Sequence, residues 1–545
     1  MIPEERLALD EIQGAVIPGF KKDYLAIVGL FIDEVQPCKQ WLRVQASEVA
    51  SAGEVLAFNR LHKAMRLRRG SESAAPSVVW KSIAFSADGL SLLRTPQEIE
   101  DFESPFVNGM FQSALGDPPG NEWVVGGRPE TVPHVLVVLA ADVSSDLAGE
   151  LARLMASLPV TSSGTPAMHA SGPPQMGATL GGALRGHEHF GFKDGVSQPA
   201  VRGLASDDPS DFIEPRMLAA DDPDFEQFAV PGRPLVWPGQ FIIGYKRQDR
   251  LDFTAPRPPV APKVAWQRNG SYLVYRRLQQ RVDLFWQFCK EGAKALGQSL
   301  GRPVTSAAFA TRLVGRWPSG APIIRSPVRD DPAMATDDAT SNNFLFADEM
   351  RPVRLADGSI ASAAFPPVRP DPDGRTCPFA AHIRKVNPRD DSTDTSGPAQ
   401  TRTRLILRRG IPYGPRKEAR AFLQDDGVDR GLLFMSYQAS IAEQFEFLTR
   451  TWVNRDNAPH DSDPPAGMDP LIGQSSQPRF VRLPGVGDPA EDLQLALPDP
   501  AWVRMTGGGY FFAPSITALS NELTARNAPL GGRLELLRAR RTTSP

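Results

Sequence analysis

Cysteine is nearly absent from this chain. Cys38, Cys289 and Cys377 are the only ones in 545 residues, and they stand far apart. That excludes a disulfide framework, a zinc ribbon and a Cys-x-x-Cys-His haem attachment. A bound cofactor would therefore not be held through thioether links. Long apolar runs are missing too. YLAIVGLFI (Tyr24 to Ile32) is too short to cross a bilayer, which takes about 20 residues, and it reads as a buried strand. The opening MIPEERLALDEIQG is charged and holds no apolar signal core. These two absences set the expectation of a soluble, cytoplasmic protein with no membrane partner. A basic surplus is lacking as well. Sixty Lys and Arg against 63 Asp and Glu give a formal net charge of -3, which argues against nucleic acid as a partner. The arginine clusters at Arg66–Arg69 and Arg538–Arg541 read as solvated faces or tails.

Proline is in excess, at 52 residues. It gathers in connectors such as TAPRPPVAPK (Thr254 to Lys263) and FPPVRPDPDGR (Phe365 to Arg375), which read as extended loops. The length suits two to four domains, and no short-period repeat runs through it. HVLVVLAADVSSDLAGELARLMASL (His134 to Leu158) reads as a strand ending at Ala141, followed by a helix with Leu147, Leu151, Leu154 and Met155 on one face. SAGEVLAFNRLHKAM (Ser51 to Met65) has helical spacing. PSVVWKSIAFSADGLSLL reads as a strand, a turn at Asp88-Gly89 and a short helix. The acidic, proline-bearing stretch 207–238 reads as an inserted loop or linker. Beyond it, SYLVYRRL and GLLFMSYQ are strands, and QQRVDLFWQFCKEGAKAL and SIAEQFEFLTRTW are helices. The second part thus loosely repeats the first. The expectation is α+β, with antiparallel sheets and helices in two related halves, 1–206 and 239–545.

Histidine is scarce, at 7 residues, yet GHEHFGFKDGVSQPAVRG (Gly186 to Gly203) places His187 and His189 around Glu188. Asp194 follows, on a turn with Gly191 and Gly195. Such glycines allow close backbone approach to a flat ligand, and the carboxylate suits acid–base work; an ordinary Asp-Gly turn has the same pattern. No third ligand at metal-like spacing accompanies the two histidines. In RTCPFAAHIRKVNPRD (Arg375 to Asp390), His382 is followed by Arg384, Lys385 and Arg389. A haem iron needs a neutral imidazole, and its propionates need cations; a core histidine beside a basic loop reads the same way. In LILRRGIPYGPR (Leu405 to Arg416), Arg408 or Arg409 leaves a strand just before a turn. An arginine there stabilises a developing oxyanion or simply faces solvent.

Taken together and in this order, EHFGFKDGVSQPAV, CPFAAHIRKVNPR, RRGIPYG and DRGLLFMSYQ resemble the dye-decolourising peroxidases. So do GMDPLIGQ (Gly467 to Gln474), GGGYFFAPSITAL and the opening IQGAVIPGFKKDYLAIVGLFI. The resemblance runs from about Ile12 to Leu519. It implies two ferredoxin-like domains enclosing one haem b (iron protoporphyrin IX); the chain departs from a minimal member of the family in long loop insertions at 207–238 and 301–370, expected to shape an access channel or a subunit contact. It implies a peroxidase that uses hydrogen peroxide to oxidise dyes, phenols and other aromatic reductants in one-electron steps. Asp194 matches the distal aspartate, and His382 the axial ligand of the iron. The arginine three residues before Ile-Pro-Tyr-Gly is Arg408, not Arg409. Leu432 and Phe434 match residues lining the distal pocket. Asp469 resembles the acidic partner of the proximal imidazole, which fixes its tautomer. Tyr413 and Trp452 resemble surface positions that oxidise dyes too bulky to reach a buried haem. His187 and His189 are then neighbours of the pocket. An aspartate in the acid–base role also implies a working range on the acid side of neutrality. A homo-oligomer is compatible with all of this. The rival reading is a haem-binding or iron-handling protein without peroxidase turnover.

Overall fold

The computed structural model describes residues 4–69, 78–394, 397–418, 422–485 and 491–525, without the side chains of 64–69. The arginine clusters at Arg66–Arg69 and Arg538–Arg541 lie outside the described side chains.

In the first half, YLAIVGLFI forms strand β1 (Tyr24–Ile32). It is apolar at almost every position because both of its faces are buried. Ala26, Val28 and Leu30 point to one core, with Trp41, Leu42 and Leu147 of the overlying helices. Leu25 and Ile27 point to another. Helices α1 (Val35–Ala46) and α2 (Ala52–Arg69) follow, then strands β2 (Trp80–Phe85) and β3 (Val135–Ala141). Helix α3 (Ser144–Ala156) leads to β4 (Met168–Ala170) and β5 (Gln175–Ala178). The sheet order is β2-β3-β1-β4, antiparallel throughout. Asp88 and Gly89 do not turn the chain. They lie inside a short helix, Ala87–Leu93, capped by Ser86. Glycine is required there because a Cβ would stand 2.0 Å from the His134 carbonyl oxygen.

The second half repeats the plan. Strand β6 (Ser271–Gln280) runs on through the two glutamines that helical periodicity had claimed, before helix α4 (Val282–Ser299) begins. Helices α5 (Ser306–Val314) and α6 (His382–Val386), and strands β7 (Leu407–Arg408), β8 (Ile411–Tyr413), β9 (Gly431–Gln438) and β10 (Val503–Ala513), complete it. The order β7-β9-β6-β10 matches that of the first half strand for strand, and β8 also pairs with β9. Each half is thus a β-α-β-β-α-β unit with its first strand at an inner position, the ferredoxin-like arrangement. The second crossover helix, between β9 and β10, is wound in wide π-type turns over Ile441–Glu446 and Leu448–Val453.

The halves share one ten-stranded sheet, joined where Phe512 of β10 pairs with Phe85 of β2. At its far side β5 comes against β8, so that a Cβ on Gly177 would lie 2.4 Å from Ile411. The sheet therefore curls around a common interior filled by side chains, among them Ile27, Val138, Leu273, Tyr275, Leu433 and Phe511. The stretch 207–238 is more than a linker: it carries short strands at Phe228–Val230 and Arg233–Val236. It packs on the other insertion, where Leu218 and Phe225 share a small core with Ala339 and Val353 and Asp222 binds Arg351. Among the described residues, no helix is long and apolar enough to cross a membrane.

Gly431 opens β9 where β6 passes closest, and a Cβ there would lie 1.9 Å from the Leu278 carbonyl oxygen. Overpacking of this kind costs about 1–3 kcal/mol. Gly431→Ala is therefore expected to lower Tm in a thermal melt followed by circular dichroism. An unchanged Tm would show that the two strands separate freely at this point.

Candidate active site

Asp194 sits on an irregular loop whose glycines are needed by the backbone. Gly191 has φ +93° and Gly195 φ +72°, a region that side chains rarely adopt, and a Cβ on either would meet nothing within 4 Å. Room therefore lies beside the turn. The Asp194 N–H donates to the Gly186 carbonyl at 2.9 Å, and Oδ1 accepts the Gly195 N–H at 2.6 Å. A cavity of about 380 Å³ opens against Asp194, lined also by His187, Arg185, Tyr24 and Ile411.

This loop precedes the second half in sequence but is anchored within it. Phe190 stacks on Phe285 of α4 with centroids 4.2 Å apart, and Phe192 joins the same core. Glu188 accepts the N–H groups of Phe190 (2.8 Å) and Phe192 (2.9 Å) and the side-chain amide of Gln280 on β6. Burial pushes the Glu188 carboxyl up to about 7. The His189 Nε2–H donates to the Tyr413 carbonyl at 2.8 Å, and burial holds this imidazole down at about 4, so it is neutral. Its Nδ1 is buried without a hydrogen-bond partner. His187 is half-buried. Among the described residues, no group of three or more His, Cys, Asp or Glu could hold a metal ion.

Arg408 ends β7. Its Nη1 lies 3.4 Å from Asp194 Oδ1, and its Nη2 donates to the Ser197 carbonyl at 2.8 Å. Arg409, one residue on, points elsewhere. It is spent on the carbonyls of Ala15, Val16 and Arg408. Along β9 the side chains alternate: Leu433 and Met435 enter the barrel interior, while Leu432 and Phe434 remain half-buried on the other face. Leu278 of β6 stands opposite Leu432.

His382 is the first residue of α6. Its Nδ1 lies 2.8 Å from Asp469 Oδ2. Asp469 is fully buried, and its Oδ1 accepts the N–H groups of Leu471 (2.8 Å) and Ile472 (3.0 Å). A carboxylate held this way accepts a hydrogen bond from Nδ1–H and so leaves Nε2 as the bare nitrogen, the tautomer a metal ligand needs. The imidazole is 23% exposed although its partner is not exposed at all. The three cations that follow it all have partners within the protein. Arg384 is locked between Asp371 and Asp391, Lys385 binds the carbonyls of Arg455, Ala458 and Gly467, and Arg389 binds those of Asn342 and Phe344. Arg384 and Lys385 are buried, where an unpaired charge is prohibitively costly, and are spent within the protein, whereas Arg389 is partly exposed.

Two family models match this chain. "DyP dimeric alpha+beta barrel domain" covers residues 11–169, and "Dyp-type peroxidase, C-terminal" covers residues 257–462. The chain belongs to the dye-decolourising peroxidase family. It is 30% identical to dye-decolorizing peroxidase msp1 of Mycetinis scorodonius, over 95% of this chain and 88% of that protein. It is 33% identical to a dye-decolorizing peroxidase of Mycena epipterygia, over 81% of this chain and 75% of that one. The solved structure of an ancestral D-type dye decolorizing peroxidase superposes with a TM-score of 0.73 at 30% identity, covering 95% of this chain and all of the other. The family implies a haem cofactor. The residues fit one: an imidazole with Nε2 free, a half-buried apolar strip at Leu432 and Phe434, and a glycine turn with open space beside it.

Two expectations for this dye-decolourising peroxidase fail. Tyr413 and Trp452 are not surface residues. Tyr413 is 6% exposed, beneath the Arg277 guanidinium at 4.2 Å, with its hydroxyl donating to Asp429 at 3.0 Å. Trp452 is 1% exposed and packs edge-on against Phe447. The first is drawn in by strand pairing with β9, and the second lies on the inner side of its helix. Sequence reading also passed over Ser197 and Gln198, which hold Arg408, and Gln280, which holds Glu188. The signal available was the run of polar side chains Ser197-Gln198 directly after the turn.

The raised Glu188 carboxyl has a consequence for stability. Folded and unfolded chains both hold its proton below about 4.5; above that, the folded chain keeps a proton that the unfolded chain releases, until pH passes about 7. Its contribution is thus full in acid and lost as pH rises through 7. Tm measured from pH 5 to pH 8 is expected to fall less in Glu188→Gln than in the parent. An equal fall in both would show that Glu188 is ionised throughout.

Proposed function

We propose that this peroxidase binds haem b through His382 and activates hydrogen peroxide with Asp194 and Arg408. The observation that carries the reading is the 3.4 Å contact between Arg408 and Asp194, which brings together an acid–base group and a cation from positions 214 residues apart in the chain. The bound haem supplies the iron at which the peroxide O–O bond is cleaved and from which oxidising equivalents pass singly to dyes, phenols and other aromatic reductants. The hydrogen bonds described for the Asp194 carboxylate fall on Oδ1. Oδ2 is left to take the proton from the near oxygen of the peroxide and return it to the departing one. The Arg408 guanidinium, fixed by the Ser197 carbonyl, stabilises the negative charge on the departing oxygen. Asp469 holds the His382 imidazole in orientation and raises its basicity toward iron. Leu432 and Phe434 keep water from the distal side. A cavity of about 380 Å³ borders Asp194.

A haem carrier would need neither Asp194 nor Arg408. The chain divides at 1–206 and 239–545: the strands of one repeat fall in the first range and those of the other in the second. The stretch 207–238 lies between them as an insertion.

His382→Ala is expected to lose most of its haem, read as the ratio of the Soret band to protein absorbance. Asp194→Asn and Arg408→Leu should keep the Soret band and lose about 10²-fold or more in kcat/KM for peroxide. Initial rates with an anthraquinone dye should be higher on the acid side of neutrality. Wild-type rates in both distal variants would remove Asp194 and Arg408 from the peroxide step. A wild-type Soret band in His382→Ala would move the iron to another ligand.

A further inference from the structure

We infer that Gln198 is a positioning residue for the peroxide step, its side-chain amide holding Arg408 in register with Asp194. The inference rests on the roles just given to Asp194 and Arg408. Strand β7 is only two residues long and ends the sheet, with β9 on one side. In a strand, the N–H and C=O of one residue point to the same edge, and successive residues alternate. The Arg409 N–H donates to the Met435 carbonyl of β9 at 2.8 Å. The backbone groups of Arg408 therefore face the opposite edge, where no strand runs. Gln198 fills that place. Its Oε1 accepts the Arg408 N–H at 3.2 Å, and its Nε2 donates to the Arg408 carbonyl at 3.1 Å. A primary amide carries the same donor and acceptor as a peptide group, so one side chain stands in for a missing strand.

The residue is itself fixed. The Gln198 carbonyl accepts Arg233 Nε at 3.2 Å. Next to it, the Ser197 carbonyl takes Arg408 Nη2, while the Ser197 hydroxyl donates to Asn342 Oδ1 at 2.6 Å and accepts from the buried Arg316 at 3.0 Å. Asp194 lies four residues before Gln198 on the same loop. The pair Ser197-Gln198 thus grips Arg408 at both backbone and guanidinium and ties it to the turn that carries Asp194. Gln198 moves no proton. It sets the separation of the two groups that act on peroxide.

The test uses the haem-loaded full chain with two variants. Gln198→Ala removes both hydrogen bonds. It should keep the Soret band and the KM for the dye while kcat/KM for peroxide falls about 10- to 100-fold, the range that a displacement near 1 Å produces. Gln198→Glu gives a second, independent readout. A carboxylate accepts from the Arg408 N–H but repels the Arg408 carbonyl. A protonated carboxyl donates and accepts as the amide does. The ratio of variant to parental kcat/KM should therefore rise as pH falls through the glutamate range near 4.3, shifted by the charges that flank the site: Arg233, Arg408, Arg409 and Asp194. An unchanged peroxide kcat/KM in Gln198→Ala overturns the inference. So does a flat ratio in Gln198→Glu, which also decides the matter if the alanine variant fails to fold or to load haem. Wild-type rates in Asp194→Asn and Arg408→Leu would instead remove the reading beneath it, whatever Gln198 does.

Discussion

The anchoring of the Asp194 loop in the opposite half of the chain is the constraint on which the candidate site depends. Phe190 and Phe192 supply the apolar burial that fixes it, each side chain contributing about 1.5–3 kcal/mol. Glu188 cannot gain from that burial. It is largely withdrawn from solvent, and two backbone N–H groups and the Gln280 amide are what make its place tolerable. These contacts tie the loop to α4 and β6, and β6 is paired in turn with β9, where Leu432 and Phe434 stand. Movement of the loop would therefore disturb the apolar strip, and movement of the strip would disturb the loop.

The barrel explains why the second half of the site stays in place. Strand β9 is paired on both sides and buried on its inner face, so its outward residues are fixed by the register of their inward neighbours. Arg408 is at the sheet margin and lacks that support on one side. Its position relies on hydrogen bonds from the loop, which tie Arg408 to the turn that carries Asp194.

Much of this fold was legible in the sequence, and the failures have physical causes. The strand at Tyr24–Ile32 and the helix Ser144–Ala156 have one periodicity each and no competing partner. The turn expected at Asp88-Gly89 became helix because close packing on His134, not backbone conformation, called for that glycine. The stretch 207–238 looked like a linker because its apolar residues are few, yet they meet those of the second insertion to make a small core that neither could form alone. The motif residues were found by their order in the chain. What surrounds them was not. Arg384 and Lys385 read as ligand-binding cations because sequence does not reveal that Asp371, Asp391 and several carbonyls converge on them. Tyr413 and Trp452 read as surface residues because their burial depends on strand and helix packing from distant segments.

The two aspartates of the site show how environment divides one side chain between two tasks. Asp469 has no exposure, and each oxygen is engaged, one by His382 and the other by the Leu471 and Ile472 backbone. Such a carboxylate is held at both oxygens and has no path to solvent. It can hold a neighbour in orientation but cannot shuttle a proton. Asp194 is 34% exposed, borders a cavity and has its described contacts on one oxygen. It can exchange a proton without breaking the bonds that place it. The difference comes from their surroundings. Asp469 takes two following N–H groups on one oxygen and His382 on the other, whereas Asp194 takes the single Gly195 N–H on the oxygen that also meets Arg408 and borders a cavity. Exchanging the two residues' surroundings would exchange their chemistry, with the sequence at both positions still reading aspartate.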